Sequence, residues 1–416
     1  MYARLISFIN KHKLLYKYQF GFRKNHSTAL ALIEITDNII KDLESGKCSA
    51  GIFIDFKKAF DTVDHNILLS KLEHYGIRGQ TLEWLKSYIT NRQQFAYVNG
   101  KKSKMEQITC GVPQGSVLGP LLFLIYTNDI GNCTESKIRL FADDTNSFVS
   151  AENYSDLKKI ISKTLQEIFT WCKNNKLSVA IDKTCYSIFH KPTQKNPQFL
   201  NNIKINNDLI KREYTTKYLG VLLDEVLSYK PHINELLTKL TKIINSFKII
   251  KYYVPLKNRM LIFEAYFNSK IEYGIELYGT ANDTLIKKLQ IKQNKAIKAL
   301  YHLDFQTPTL QLHKQYKTLM IKDKYRLSIA KFAYKQQNKK LPDIFDNYYS
   351  KIKEKHCHEI RNNEDLIIPK CKTEIGKRSS IQAGAREWNN LPIKIRQSKT
   401  LKNFAKKSKE FLINKY

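Results

Sequence analysis

Apolar positions in this chain switch between two periods, and the switches divide it into elements. Between 156 and 174, Leu157, Ile160, Ile161, Leu165, Ile168 and Trp171 recur at the spacing of a helix with one buried face. The same reading places helices at 63–75, closed by Gly76, at 80–90 and at 117–128. The first 45 residues open with a short basic amphipathic segment and continue as helix from Ser27 to Leu43. Short apolar runs predict strands at 50–56, 138–141, 146–149, 177–181, 186–190, 203–205 and 218–223. Asn99-Gly100 between 94–98 and 103–109 signals a tight hairpin. Beyond Asp224 the texture turns helical, at 232–251, 256–271, 284–301 and 321–340, with lysine-rich polar faces. The prediction is an α/β (α+β) core followed by a helical, basic region.

Charge adds a partner to this picture. Seventy Lys and Arg against 38 Asp and Glu leave the 416-residue chain at +32, an excess that attracts polyanions and makes their binding salt-dependent. Seven scattered cysteines, odd in number and without a CxxC pair, argue for a reducing compartment and against a disulfide framework. His356, Cys357, His358 and Cys371 lack zinc-finger spacing. No apolar run approaches the roughly 18 residues of a membrane span, and no apolar leader opens the chain. A soluble, intracellular protein without a membrane partner is predicted.

Three carboxylates carry the candidate chemistry. Asp55 closes the apolar run 51–54, where an unpaired carboxylate is costly. Asp143 and Asp144 share a turn between apolar strands, where like charges raise each other's pKa unless a cation sits between them. Oxygen ligands of this kind suit Mg²⁺, and a metal pair can stabilise both the attacking and the leaving oxygen of a phosphoryl transfer. Simpler roles exist, since Asp also caps helices and fills turns. Asp61 and Asp64 are the better capping residues and receive no metal role. The loop 111–120, punctuated by Gly and Pro before a helix, lets backbone approach phosphate closely, with Gln114 able to offer an amide to a sugar or base.

The ordered segments QFGFRKNHST (19–28), FIDFKKAFDTVDH (53–65), GVPQGSVLGPLLF (111–123), FADDT (141–145) and YLGVLLD (218–224) resemble reverse transcriptases. The likeness is greatest to those of non-LTR (LINE-type) retrotransposons of the jockey and CR1 kind. The stretches 75–94 and 388–404 are similar to that group as well, so the resemblance covers nearly the whole chain.

The resemblance implies a right-hand polymerase, with partial fingers at 1–49, palm at 50–225 carrying a fingers insertion at about 76–110, thumb at 226–340 and a C-terminal region at 341–416. It implies that Asp55, Asp143 and Asp144 are catalytic and hold two Mg²⁺, with Mn²⁺ as an alternative. Phe60 would be the aromatic steric gate beneath the incoming sugar, and Gln114 and Gly115 would line the nucleotide pocket. Arg23 and Lys24 would contact the triphosphate, and Lys183 would be an acid for the pyrophosphate leaving group. Tyr218, Leu219 and Gly220 would grip the primer end. The implied partners are an RNA template, a DNA primer and dNTPs, and the implied location is the nucleus. Two departures qualify this: Ala180 stands where the family usually has Asn, and the chain begins just upstream of QFGFR. On that start, the preceding finger strands and an upstream endonuclease are expected to be missing. A catalytically silent, nucleic-acid-binding remnant is the second reading.

Overall fold

The structure, a computed structural model, describes residues 1–194, 198–205, 208–304, 306–354 and 364–416. Helices α1 (Tyr2–Lys11) and α2 (Thr28–Glu44) precede strand β1 (Cys48–Ile54). Helices α3 (His65–His74) and α4 (Gln80–Ile89) lead to a two-tier ribbon. Its lower tier pairs β2 (Arg92–Gln94) with β5 (Glu106–Ile108), and its tip pairs β3 (Tyr97–Val98) with β4 (Lys101–Lys102). Next come α5 (Gly119–Tyr126), β6 (Lys137–Phe141), β7 (Asp144–Ala151), α6 (Tyr154–Asn174), β8 (Cys185–Phe189), β9 (Ile203–Ile205) and β10 (Asp208–Arg212). These belong to a first unit made of Met1–Thr28, Cys48–Ile188 and Lys195–Glu213.

A six-stranded sheet in the order β6-β7-β1-β8-β10-β9 is the frame of that unit. Every residue of β1 is buried, and its mixture of Ile, Phe and small residues suits a strand covered on both faces. Antiparallel pairing sets Ile52 opposite Ser147 and Ile54 opposite Thr145. Helix α6 starts where the Asn153 side chain accepts the Asp156 N–H at 2.9 Å. Its buried stripe, Leu157, Ile161, Leu165, Ile168 and Trp171, faces β1, β7 and β9. Burial of side chains of this size stabilises by about 1.5–3 kcal/mol each.

Three expectations need correction. The run 177–181 is no extended strand: Val179 alone forms a bridge, to Phe56, with one backbone hydrogen bond on either side of it. The run 218–223 is two strands, β11 (Thr215–Tyr218) and β12 (Val221–Asp224), which fold back at Leu219 and Gly220, both at positive φ. The helix at 256–271 is interrupted: Leu256–Ile262 is α-helical, Phe263–Asn268 is a π-turn, and the α-helix resumes at Ser269–Glu272.

The second unit comprises Ala29–Lys47, Phe189–Gln194 and Tyr214–Tyr416. After β12, helix α7 (Lys230–Ile250) packs on Asp283–Tyr301, and Ile321–Gln337 packs on Ser380–Asn389 and Leu401–Ile413. Helix α2 is tied to the C-terminal segment by two carboxylates seven residues apart, hence near one face of the helix. Asp37 accepts from the Ser380 N–H at 2.8 Å and from its hydroxyl, and Glu44 accepts from Lys372 N–H and from Thr373. No helix of the described residues is long and apolar enough to cross a membrane. His356, Cys357 and His358 lie outside the described residues; Cys371 accepts a contact from the Gln382 amide at 3.0 Å.

Candidate active site

The β1–β7 register brings the carboxylates together. Ile54 faces Thr145, so one step further the chain carries Asp55 toward Asp144. Phe141 pairs with Asp144, which leaves Ala142 and Asp143 as a two-residue turn. Ala142 sits at φ 57°, a region that a residue with a Cβ occupies only at some cost. The Asp144 carboxyl is pushed up to about 6, first by burial and then by the charges of Asp143 and Asp55.

The segment before α2 is laid directly on this turn. Gln19 is buried, and its Oε1 accepts the N–H of Gly21 at 2.8 Å and of Ala142 at 3.2 Å. A Cβ on Gly21 would run into the Ala142 amide, so this close approach requires glycine. The backbone beside it pairs too, Phe20 N–H donating to the Leu140 carbonyl at 2.8 Å.

A third strand-end loop completes the cluster. Ala180 N–H donates to the Asp55 carbonyl at 2.8 Å and Lys57 N–H to that of Ser178 at 2.8 Å. This brings Lys183 Nζ to 3.2 Å from Asp55 Oδ2. Backbone bonds fix the loop, so the missing Asn side chain at Ala180 does not prevent Lys183 from reaching the carboxylate.

Phe60 lies in the 3-10 turn Ala59–Asp61. Its ring stacks on Phe123 of α5 at 4.2 Å, and Phe22 meets it edge-on at 6.4 Å. The loop bearing Gln114 is knitted to the same turn by Val112 N–H to the Phe60 carbonyl at 2.9 Å and Gly111 N–H to that of Val63 at 2.7 Å. Gly111, at φ 88°, approaches the Asp61 backbone where a Cβ would clash. Gln114 Nε2 donates to Asp61 Oδ1 at 2.7 Å, which occupies the amide expected to meet sugar or base. Asp61 therefore orients Gln114 instead of capping a helix. Asp64 is the cap, its Oδ1 accepting Ile67 N–H at 3.0 Å. Gly115, at φ 76°, has open space around it.

Arg23 and Lys24 differ. Arg23 Nη1 donates to the carbonyls of Tyr16 at 2.9 Å and Gln19 at 3.1 Å, bracing the loop, whereas Lys24 is exposed. In the second unit, Tyr218 is buried, Leu219 and Gly220 form the turn, and Tyr273 Oη donates to the Leu219 carbonyl at 2.5 Å. Sequence reading passed over Gln19 and Phe22; the only signal was their place in the QFGFR segment.

Among the described residues, no three acidic, histidine or cysteine side chains converge into a ready-made metal cage. The donor set is nevertheless suited to a hard divalent cation: three carboxylates, crowded enough to raise Asp144, whose repulsion such an ion would relieve.

The family model for reverse transcriptase (RNA-dependent DNA polymerase) matches residues 1–223, and the chain belongs to that family. Among curated relatives, the RNA-directed DNA polymerase from mobile element jockey of Drosophila funebris is 28% identical over 76% of this chain and 35% of its own length. The probable RNA-directed DNA polymerase from transposon BS of Drosophila melanogaster is 26% identical over 75% of this chain and 35% of its own. The chain thus spans about a third of the length of these relatives. A solved telomerase from Candida albicans is similar at a TM-score of 0.38, with 14% identity over 74% of this chain and 53% of that one, too distant a likeness to bear on the site.

Proposed function

We propose that this chain is an RNA-directed DNA polymerase of a non-LTR retrotransposon, extending a DNA primer on an RNA template with dNTPs. The observation that carries the reading is the register that sets Asp55 beside Asp144, one residue from Asp143, on adjoining strand ends of one sheet. Asp55, Asp143 and Asp144 would hold the divalent cations, Mg²⁺ or Mn²⁺, which neutralise charge on the attacking and leaving oxygens of the transfer.

The chain's own residues do the rest by positioning and electrostatics. Gln19 fixes the turn that carries Asp143 and Asp144. Phe60, held against Phe123, presents a ring where a ribose 2′-OH would need room. Lys183, 3.2 Å from Asp55, has protons to give to a departing pyrophosphate. Lys24 is free to reach solvent phosphate. The lysine-rich helices of the second unit suit the backbone of a template–primer duplex, which is bound by charge with little sequence reading. A nuclear site of action accords with such an element.

The test is extension of a DNA primer on an RNA template with Mg²⁺ and dNTPs, beside an Asp143→Ala/Asp144→Ala chain. Extension by the native chain alone is the expected result. No extension by either, with salt-sensitive duplex binding retained, would leave a silent nucleic-acid-binding remnant.

A further inference from the structure

We propose that the ribbon β2–β5 is a stacking arm for the single-stranded stretch of template entering the active site. This rests on the polymerase reading above. The ribbon exposes large apolar side chains that two strands cannot bury: Phe95 (47% exposed), Tyr97 (69%), Val98 (64%) and Met105 (55%). Base faces can cover them without sequence preference, because every base has a π-face.

Charge selects a polyanion over an apolar protein surface. The ribbon carries Arg92, Lys101, Lys102 and Lys104 against a single acidic residue, Glu106. Cross-strand pairing sets Tyr97 opposite Lys102 and Val98 opposite Lys101, so each apolar group of one strand has a lysine across from it on the other. Lys102 Nζ already lies 3.9 Å from the centre of the Phe95 ring. Between the tiers the pairing shifts by one residue, from Gln94 opposite Glu106 to Tyr97 opposite Lys102, which places a bulge beside Phe95.

The foot of the arm opens into a groove of about 690 Å³ lined by Lys58, Asp61, Arg92, Gln94, Gln107 and Gln114. A strand laid on the aromatic face therefore has a polar path toward Gln114, on the loop assigned to the nucleotide. A duplex, whose base faces are stacked inward, has nothing to offer Tyr97 and Phe95. An unpaired template does.

The experiment measures affinity of the full chain for a primer–template that is blunt and for one with a 5′ RNA overhang of about ten nucleotides. The native chain should bind the overhang form more tightly. Phe95→Ala/Tyr97→Ala should lose about tenfold on that form and nothing on the blunt one, while Tyr97→Phe keeps the native preference. Because the altered side chains are exposed, an unchanged thermal melt accompanies this result. Equal affinity of the native chain for both forms, or equal loss on both in the double variant, would overturn the proposal. So would a change in sedimentation without a change in RNA affinity, which would mark the arm as a contact between copies of the chain. Primer extension run alongside keeps the two readings apart, since its failure would strike the polymerase assignment and leave the overhang preference standing.

Discussion

Gln19 accepts the backbone N–H of Ala142 through its side-chain oxygen at 3.2 Å, across 123 residues of sequence. The same oxygen takes Gly21 N–H, while Gln19 Nε2 has no partner among the described residues. Gln19→Ala would leave two amides without their acceptor, at about 1–3 kcal/mol of unfolding free energy if both stay dry. Single-turnover extension should slow more than the dNTP KM rises, since the turn and not the nucleotide pocket is loosened. Denaturant titration and single-turnover kinetics check the two halves.

Asp144 should make the site pH-sensitive with a definite sign. Its carboxyl is raised from 3.8 to about 6, so the folded chain holds that proton more tightly than the unfolded one. Without metal, stability contributed by this group is present below about 4 and is lost as pH climbs through 6. Asp144→Asn should raise the melting temperature at pH 7.5 and abolish synthesis. In the native chain, the Mg²⁺ concentration for half-maximal rate should increase below pH 6 as protons compete for the carboxylate.

Lys183 and Asp55 form a pair that is largely exposed, and such pairs contribute about 0–1 kcal/mol. Lys183→Met should therefore leave the melt nearly unchanged. If Lys183 supplies the leaving-group proton, the rate of nucleotide addition should fall and the alkaline limb of its pH profile should disappear. A retained alkaline limb would remove Lys183 from proton transfer.

Phe60→Val should admit ribonucleotides, with the preference for dNTPs over rNTPs falling on the order of a hundredfold in competition assays. Phe123→Ala should weaken the same preference less, because it removes the ring that supports Phe60 and not Phe60 itself.

Asp37, in the second unit, predicts another pH effect. Burial raises its carboxyl from 3.8 to about 7 despite hydrogen bonds from Ser380. The stability it contributes is greatest below about 4 and is lost as pH rises to 7. Asp37→Asn should flatten the dependence of melting temperature on pH across that window, as read by circular dichroism.

The candidate carboxylates were legible because each breaks a local rule: Asp55 ends a buried apolar strand, and Asp143 and Asp144 crowd one turn. Helix α6 was legible because six apolar residues hold one period. The run 177–181 misled because a short apolar stretch does not reveal how far its pairing will extend, and here pairing with Asp55–Lys57 stops at the single bridge Val179–Phe56. Strand β10 went unread since its sequence, DLIKR, is mostly polar and its pairing with β8 is tertiary. The helix Ser380–Asn389 was hidden by Gly384 in its middle, a position that makes room for Tyr349. Gln19 had no legible role, because an ordinary glutamine acquires one only when the hairpin 120 residues later closes over it.

The two carboxylates of α2 have a consequence for how the chain becomes a protein. Asp37 meets Ser380 at a sequence separation of 343, and Glu44 meets Thr373 at 329. Contacts of such range close slowly, and during synthesis they cannot close at all until the partner residues have emerged from the ribosome. Helix α2 is made more than 300 residues before its partners and must wait, its carboxylates solvated, until they follow. The second unit is thus closed only after Thr373 and Ser380 have emerged, and a nascent chain stalled before Thr373 would carry the Asp143–Asp144 turn with that unit still unfastened.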